Sequence, residues 1–437
     1  MPSERRIGLA GATALVVANM VGTGVFTTSG LLIAELGSAW LVLLVWVLGG
    51  LIALFGALCY GALARHIPES GGEYVFLSRT LHPALGYLAG WVSLLVGFAV
   101  PLGAVAYAFG QYLTALNGME AVSPRVSGTV VILVAAGVHA VSLTVGARTQ
   151  AIAVAIELVA ITLFSGFGMG HLTSSGLHNV EAPGHLAGLG VGLVVVAYSY
   201  QGWNAAIYVG GEVADPKKNL PRALVLGTAI VTALYLGLNA VFVLGTPSAL
   251  LAGKIDVGRI AALTLGGPGL AKLVSGVIAF SLMICVSALV MAGPQVMARM
   301  AADGFLPRLL ATPPGRPPRA ALLAQIAIAL VALWTSTFSS LLTYVGFTLS
   351  LVAAATVVGL GWQRYKQGPV LAVPGWPWLP ALFVFFVVGS TVFTLVERPR
   401  ESLVGLATLA LGLLAYALQK RRANRITTGH STVGRNR

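Results

Sequence analysis

The chain has 437 residues, 57% of them hydrophobic and only 9% charged, and its mean hydropathy of +0.89 lies far outside the soluble range. A net charge of +13 would point to nucleic acid in a soluble protein, but in so apolar a chain it marks basic loops on the cytoplasmic side of a membrane. Composition therefore sets an integral membrane protein whose partner is the lipid bilayer, and it excludes a nucleic-acid binder.

Apolar runs long enough to cross roughly 30 Å of hydrocarbon fall at about 8–34, 38–63, 84–114, 126–146, 149–170, 187–212, 222–246, 270–299, 320–337, 340–362, 376–396 and 401–419. They predict an all-α integral membrane protein with 12 transmembrane helices. The first run begins near Ile7 and is too long for a signal-peptide core, so it is read as a retained span. Within it, Met20–Gly30 reads MVGTGVFTTSG, with three glycines and four hydroxyl residues in eleven positions. Glycine costs about 1 kcal/mol relative to alanine in a helix interior. Broken backbone is tolerated at membrane depth only where it is buried in protein or lines a cavity. Gly22-Thr23-Gly24 is therefore expected to be a break. The bare amides of Thr23, Gly24 and Val25 would then face an anion, and a valine at Gly24 is expected to occupy the anion's place without unfolding the chain.

No loop has room for a soluble domain. On one side the longest are Arg65–Pro83 and Ala301–Arg319, the second rich in proline; on the other they lie near 171–186 and 247–269, long enough for short interfacial helices. In the fifth run, Glu157 lies about eight residues in, roughly 12 Å from the end at 1.5 Å per residue. An ionisable residue at that depth is a functional hypothesis by default. The bland reading is a protonated glutamate bonded to a hydroxyl inside the bundle.

The sixth run, VVVAYSYQGWNAAIYVGGEVADP, carries a second polar and aromatic cluster, Tyr198-Ser199-Tyr200-Gln201-Gly202-Trp203-Asn204. Transporters built from inverted repeats interrupt corresponding helices of their two halves. With a five-helix repeat, runs 1 and 6 correspond. Carbonyls of Tyr198, Ser199 and Gln201, with Val21 on the first break, would suit an amine. The two breaks together would then hold a zwitterion without a charged side chain. Tyr198, Tyr200 and Trp203 either line that pocket or pack. Glu212, beside Asp215-Pro216, reads as a structural or gating partner of basic loop residues.

The tail after Gln419, KRRANRITTGHSTVGRNR, is expected to be disordered and to lie against anionic lipid. With the N-terminus inside, only Arg125, Lys254, Arg259, Lys272, Arg398 and Arg400 of the 26 lysines and arginines fall outside, which places both termini in the cytoplasm. There is no His-Glu-x-x-His pattern and no Cys/His metal spacing, so neither an enzyme, a metal site nor a cofactor is expected. A pore is disfavoured by the lack of a charge ring or filter sequence.

Several motifs in order resemble the amino acid–polyamine–organocation superfamily, closest to the L-type amino acid transporters. They are VGTGVF in run 1, PESGGEYVFLSRTLHPALGYLAGW at Pro68–Trp91, AYSYQGWN and GEVADPKKNLPRA in and after run 6, ARMAADGFLPRLL at Ala298–Leu310, and LTYVGF at Leu342–Phe347. The resemblance implies a leucine-transporter-type fold of two inverted five-helix repeats. These would be 1–170, with helix 1 broken at 22–24, and 187–366, with helix 6 broken near 200–203. Peripheral helices at 376–419 and a tail at 420–437 would follow. It also implies alternating access, with Tyr198 as an aromatic gate, Ser199 and Gln201 giving carbonyls to the amino group, and Asn204 tying helix 6 to its neighbours; Gly22 is structural beside the site.

Two departures matter. Many members that work without sodium place a lysine where this chain has Glu157. A glutamate could take up a proton, hold a cation with Ser281 or Ser287, or favour a cationic substrate. L-type animal transporters also join an ancillary glycoprotein through an outer-loop cysteine, and here Cys59 and Cys285 both lie inside runs, so no disulfide-linked ancillary subunit is expected. The expected function is a symporter or exchanger of neutral amino acids in the cell membrane, coupled to H+ rather than Na+. A polyamine carrier and an amino-acid-binding membrane sensor are the alternatives.

Overall fold

The computed structural model describes residues 7–117, 122–141, 147–171, 180, 185–302, 304, 306–312, 318–368 and 372–433, and all the regular elements among them are helical. Helices α1 (Leu9–Met20) and α2 (Thr23–Leu36) form one apolar span bent by 41°. Helix α3 (Ala39–His66) is apolar almost throughout, and a short helix α4 (Gly72–Thr80) occupies the loop that follows it. Helix α5 (Pro83–Val92) runs through a π-helical turn at Ser93–Ala99 into α6 (Val100–Asn117). The amide of Val100 bonds Leu95 O, five residues back. Widening the turn there accommodates Pro101, whose ring would crowd a carbonyl four residues back in a regular helix.

Helices α7 (Pro124–Val141), α8 (Ala147–Met169) and α9 (His185–Ser199) follow. After α9 the chain turns through residues 200–204 and resumes as a 3-10 helix at Ala205–Glu212. Beyond it lie α10 (Pro216–Gly245), α11 (Ser248–Leu251), α12 (Val257–Ala302), α13 (Arg319–Thr335), α14 (Phe338–Gln367), α15 (Trp378–Glu397) and α16 (Pro399–Val433). Among the described residues, seven helices are long and apolar enough to cross a membrane, beside the bent α1–α2 pair and shorter apolar helices in α7, α8, α9 and α13.

Three boundaries differ from the sequence expectation. Helix α10 starts at Pro216 rather than 222, because a proline in the first turn gives up only an amide that has no partner anyway. Helix α12 starts at Val257, inside a connection expected to be a loop, and kinks at Gly266 and Gly267 (φ 71°, ψ −169°) just before Pro268. With α11, it supplies the short helices foreseen at 247–269; most of 171–186 lies outside the described residues. The tail expected to be disordered continues α16 as far as Val433. It contains no proline, and extending a formed helix avoids the cost of nucleation.

The exterior identifies the solvent. Leu163, Leu273, Phe385 and Trp378 are 68%, 64%, 69% and 75% exposed, an apolar face that fits hydrocarbon and not water. Inside, Trp46 of α3 is fully buried with the rings of Tyr200 and Tyr235 edge-on at 5.7 and 5.5 Å. Its indole donates to Ser29 Oγ at 2.9 Å, and the Tyr200 hydroxyl donates to Trp46 O at 3.1 Å. These satisfied polar contacts lock α2, α3, the end of α9 and α10 around the first break. On one face of the molecule, Ile7 pairs with Val213 through Ile7 N to Glu212 O (3.2 Å) and Ala214 N to Ile7 O (2.9 Å). The start of the first span is thus tied to the end of the segment after α9.

Candidate functional site at the paired helix breaks

The first break is two extended residues, Val21 and Gly22. Helix α1 closes with Val21 N donating to Val17 O, Gly22 stands at φ −168° and ψ −156°, and Thr23 opens α2. No side chain caps this N-terminus, so the amides of Thr23, Gly24 and Val25 lead a buried helix without a capping acceptor. The hydroxyls of Thr27 and Thr28 turn back to Thr23 O and Gly24 O at 2.8 Å and do not compete for those amides. A Cβ built on Gly22 would meet nothing within 4 Å. The free space at the break is therefore beside Gly22.

Gly24 has a different role. A Cβ there would lie 2.5 Å from Ser199 Cα, so Gly24 is where α2 touches the end of α9. This corrects the expectation that a valine at Gly24 would merely fill an anion site, because it would first push the two helices apart. Gly202, at φ +99°, makes the reciprocal approach, its Cβ position falling 2.5 Å from the carbonyl carbon of Asn19. The two breaks are in direct contact.

Around them, Tyr198 is buried with its hydroxyl 3.4 Å from Thr23 Oγ1, and Ser199 Oγ donates to Thr28 Oγ1 at 3.3 Å. The Tyr198 carbonyl accepts from Gln201 N at 3.1 Å, and Gln201 Nε2 donates to Ala197 O at 3.3 Å. Val21 is buried at the end of α1, where the Tyr235 hydroxyl donates to Met20 O at 2.5 Å. Trp203 packs its ring edge-on to Tyr60 at 4.6 Å, toward Gly56 and Phe383; of the two readings of this residue, packing is what the structure describes. Asn204 donates to Glu73 of α4, and Glu212 engages through its backbone carbonyl.

Glu157 of α8 is 5% exposed, hydrogen-bonded to Ser281 of α12, and its Oε1 has no partner among the described residues. Ser287 is not brought to it. Six residues on, at 3.6 residues per turn, it lies on another side of α12 and pairs with His139 Nε2 at 2.8 Å. An apolar cavity of about 300 Å³ between α8, α10 and α12 has Phe26 of α2, Glu157 and Ser281 in its wall. One turn past Ser281, Cys285 lies near both Glu157 and Tyr198. Nothing local in the sequence marks Tyr235 or Cys285 as lying here, and Glu73 is marked only by its place in the Pro68–Trp91 motif.

Compared with known proteins, residues 7–412 match the family model described as amino acid permease. The serine/threonine exchanger SteT of Bacillus subtilis (strain 168) is 28% identical over 434 residues, covering 96% of this chain and 98% of its own. Large neutral amino acids transporter small subunit 2 of Mus musculus is 29% identical, with 95% and 81% covered. Asc-type amino acid transporter 1 of Homo sapiens is 28% identical, with 95% and 82% covered.

Proposed function

This chain belongs to the amino acid permease family, and from that premise we propose that it is a secondary transporter, symporter or exchanger, of neutral amino acids working by alternating access. The observation that carries the substrate class is the uncapped start of α2. Its amides attract a carboxylate, the end of α9 touches α2 at Gly24, and Gly22 stands beside open space. No lysine, arginine, aspartate or glutamate occurs between Met20 and Gly30 or between Tyr198 and Asn204, so the side chain of the substrate meets no charge there. Val21, Thr23, Gly24, Val25, Tyr198, Ser199, Gln201 and Gly202 form the site in this reading. Trp203 and Asn204 support it from behind.

The same reading takes the seven long helices, the bent pair and the four shorter apolar ones as twelve spans. They divide into repeats at 1–170 and 187–366 with two peripheral helices, both termini cytoplasmic, in the cell membrane. Coupling runs through Glu157, whose Oε1, unpartnered among the described residues, and Ser281 partner suit a proton better than a sodium ion, for which those residues bring two side-chain ligands together. That same oxygen favours the alternative of a cationic amine as substrate. The test is purified protein in liposomes given labelled serine, threonine, alanine and leucine under proton, sodium or counter-substrate gradients, with putrescine as competitor. Saturable uptake of a neutral amino acid supports the reading. Uptake of putrescine alone replaces it with the amine carrier, and binding without flux with a sensor.

A further inference from the structure

The motif PESGGEY meets the site described above only through Asn204, yet it builds the most heavily bonded carboxylate among the described residues. Gly71 and Gly72 stand at φ +131° and +62°, a left-handed pair that side chains rarely adopt. They turn the chain so that α4 starts directly against Tyr208, and a Cβ on Gly72 would lie 2.7 Å from Cδ1 of the Tyr208 ring. The next residue, Glu73, is 6% exposed and accepts from three neutral donors: Tyr60 of α3 at 3.3 Å, Asn204, and the Tyr208 hydroxyl. No lysine or arginine pairs with it among the described residues; the nearby Arg79 pairs with Glu69 at 3.1 Å.

Two of those donors, Asn204 and Tyr208, belong to the half of the broken helix that follows α9. Helix α4 is itself held elsewhere. Gln363 of α14 donates to Arg79 O at 3.1 Å, and Thr80 lies against Gly359. The segment Ala205–Glu212 is a 3-10 helix with a non-helical residue at Val209, so its own backbone bonding is poor. It also packs against α1 and α10, Tyr208 is hydrogen-bonded to Ser93 of the π-helical turn, and its far end is tied by Gly211 N to Ser70 Oγ at 2.9 Å and by the pairing with Ile7.

We propose that Glu73 is the positioning residue that latches this half-helix to α4 and α3, so that its release is the step that opens the transporter on the side of the basic loops. This rests on the alternating-access reading. When the half-helix swings away, Asn204 and Tyr208 leave together and a buried carboxylate keeps one neutral donor, a state it tolerates poorly. The latch therefore holds the closed arrangement, and three uncharged donors let it part without breaking an ion pair.

The test needs no substrate. In full-length protein with Cys59→Ala and Cys285→Ser, a single reporter Ala206→Cys, fully buried here, is labelled with a membrane-impermeant maleimide in inside-out vesicles. Ala301→Cys, also buried and at the basic-loop end of α12, is the control. Glu73→Ala is expected to speed labelling at 206 by about tenfold through a population shift and leave 301 unchanged. Glu73→Gln, which keeps one acceptor oxygen, should fall between. Tyr208→Phe should also speed labelling and add little on top of Glu73→Ala, since both break one network. Labelling at 206 within twofold of the parent overturns the latch, and so does an equal rise at 301, which would mean general loosening. If Glu73→Ala does not fold, Tyr208→Phe and Asn204→Ala decide between latch and no latch through the same two reporters. A protein that labels as expected but moves no amino acid keeps the latch and loses the transport reading.

Discussion

At the scale of single residues, the two glycines of the first break separate by what lies beside them. A side chain at Gly22 enters open space and one at Gly24 strikes the Ser199 backbone. Gly22→Val is therefore expected to keep the thermal midpoint within a few degrees and to weaken amino acid binding at least about tenfold, because the added methyls stand where the proposed reading places the carboxylate. Gly24→Val should instead lose stability, since overpacking costs about 1–3 kcal/mol and more against backbone. Thermal unfolding with and without serine in detergent separates the two, and a Gly24→Val protein as stable as the parent would contradict the packing. Glu157 allows a second residue-scale test. If it carries the proton, uptake rises as the outside pH falls, because only the protonated carrier moves inward with substrate. Glu157→Gln mimics the protonated form in size and charge, so its uptake should be flat across the pH range in which the wild type's changes. A variant that retained the wild-type slope would remove Glu157 from coupling.

At the scale of elements, the breaks were legible from sequence because their cause is local. Gly-Thr-Gly in an apolar run, and Gly202 in a polar cluster five helices on, weaken a helix wherever they stand. The contacts that give those breaks a shape were not legible. Glu73 collects donors 13, 131 and 135 residues away, and Tyr235 reaches back 215 residues to Met20 O. No spacing rule within a run foretells such meetings. Helix ends failed for a related reason: α10 and α12 begin before the apolar stretch does, where proline and charged residues sit comfortably in a first turn outside hydrocarbon. Trp203 is a direct test of what packing alone decides. Its ring fills the space between α3 and α15 against Tyr60, Gly56 and Phe383, so Trp203→Ala should cost about 3–5 kcal/mol of stability. Trp203→Phe, which keeps most of that contact, should bind substrate within about threefold of the parent. A large affinity loss in Trp203→Phe with stability intact would put the indole in the site after all.

At the scale of the molecule, charge and geometry argue the same topology independently. Counting loops places twenty of the 26 basic residues on one side. The structure ties Ile7 to Val213 through backbone bonds, so the start of the first span and the end of the segment after α9 share a face. On the opposite side, Glu35 at the end of α2 forms an ion pair with Arg398 at the end of α15, one of the six basic residues assigned outside. Both pairings are those that an even number of crossings requires between residues 7 and 213, and between residues 35 and 398. The expectation is that a fluorescent protein fused after Arg437 is bright in intact cells and that alkaline phosphatase fused there is inactive, since the first folds in the cytoplasm and the second outside it. Phosphatase fused after Arg398 should be active. Arg398→Glu, which sets two carboxylates side by side, should lower stability by about 1 kcal/mol or more without reversing either fusion, because orientation follows the many inner lysines and arginines rather than one outer pair. An active phosphatase at Arg437 would mean that one crossing is miscounted, and every loop assigned after it would change sides.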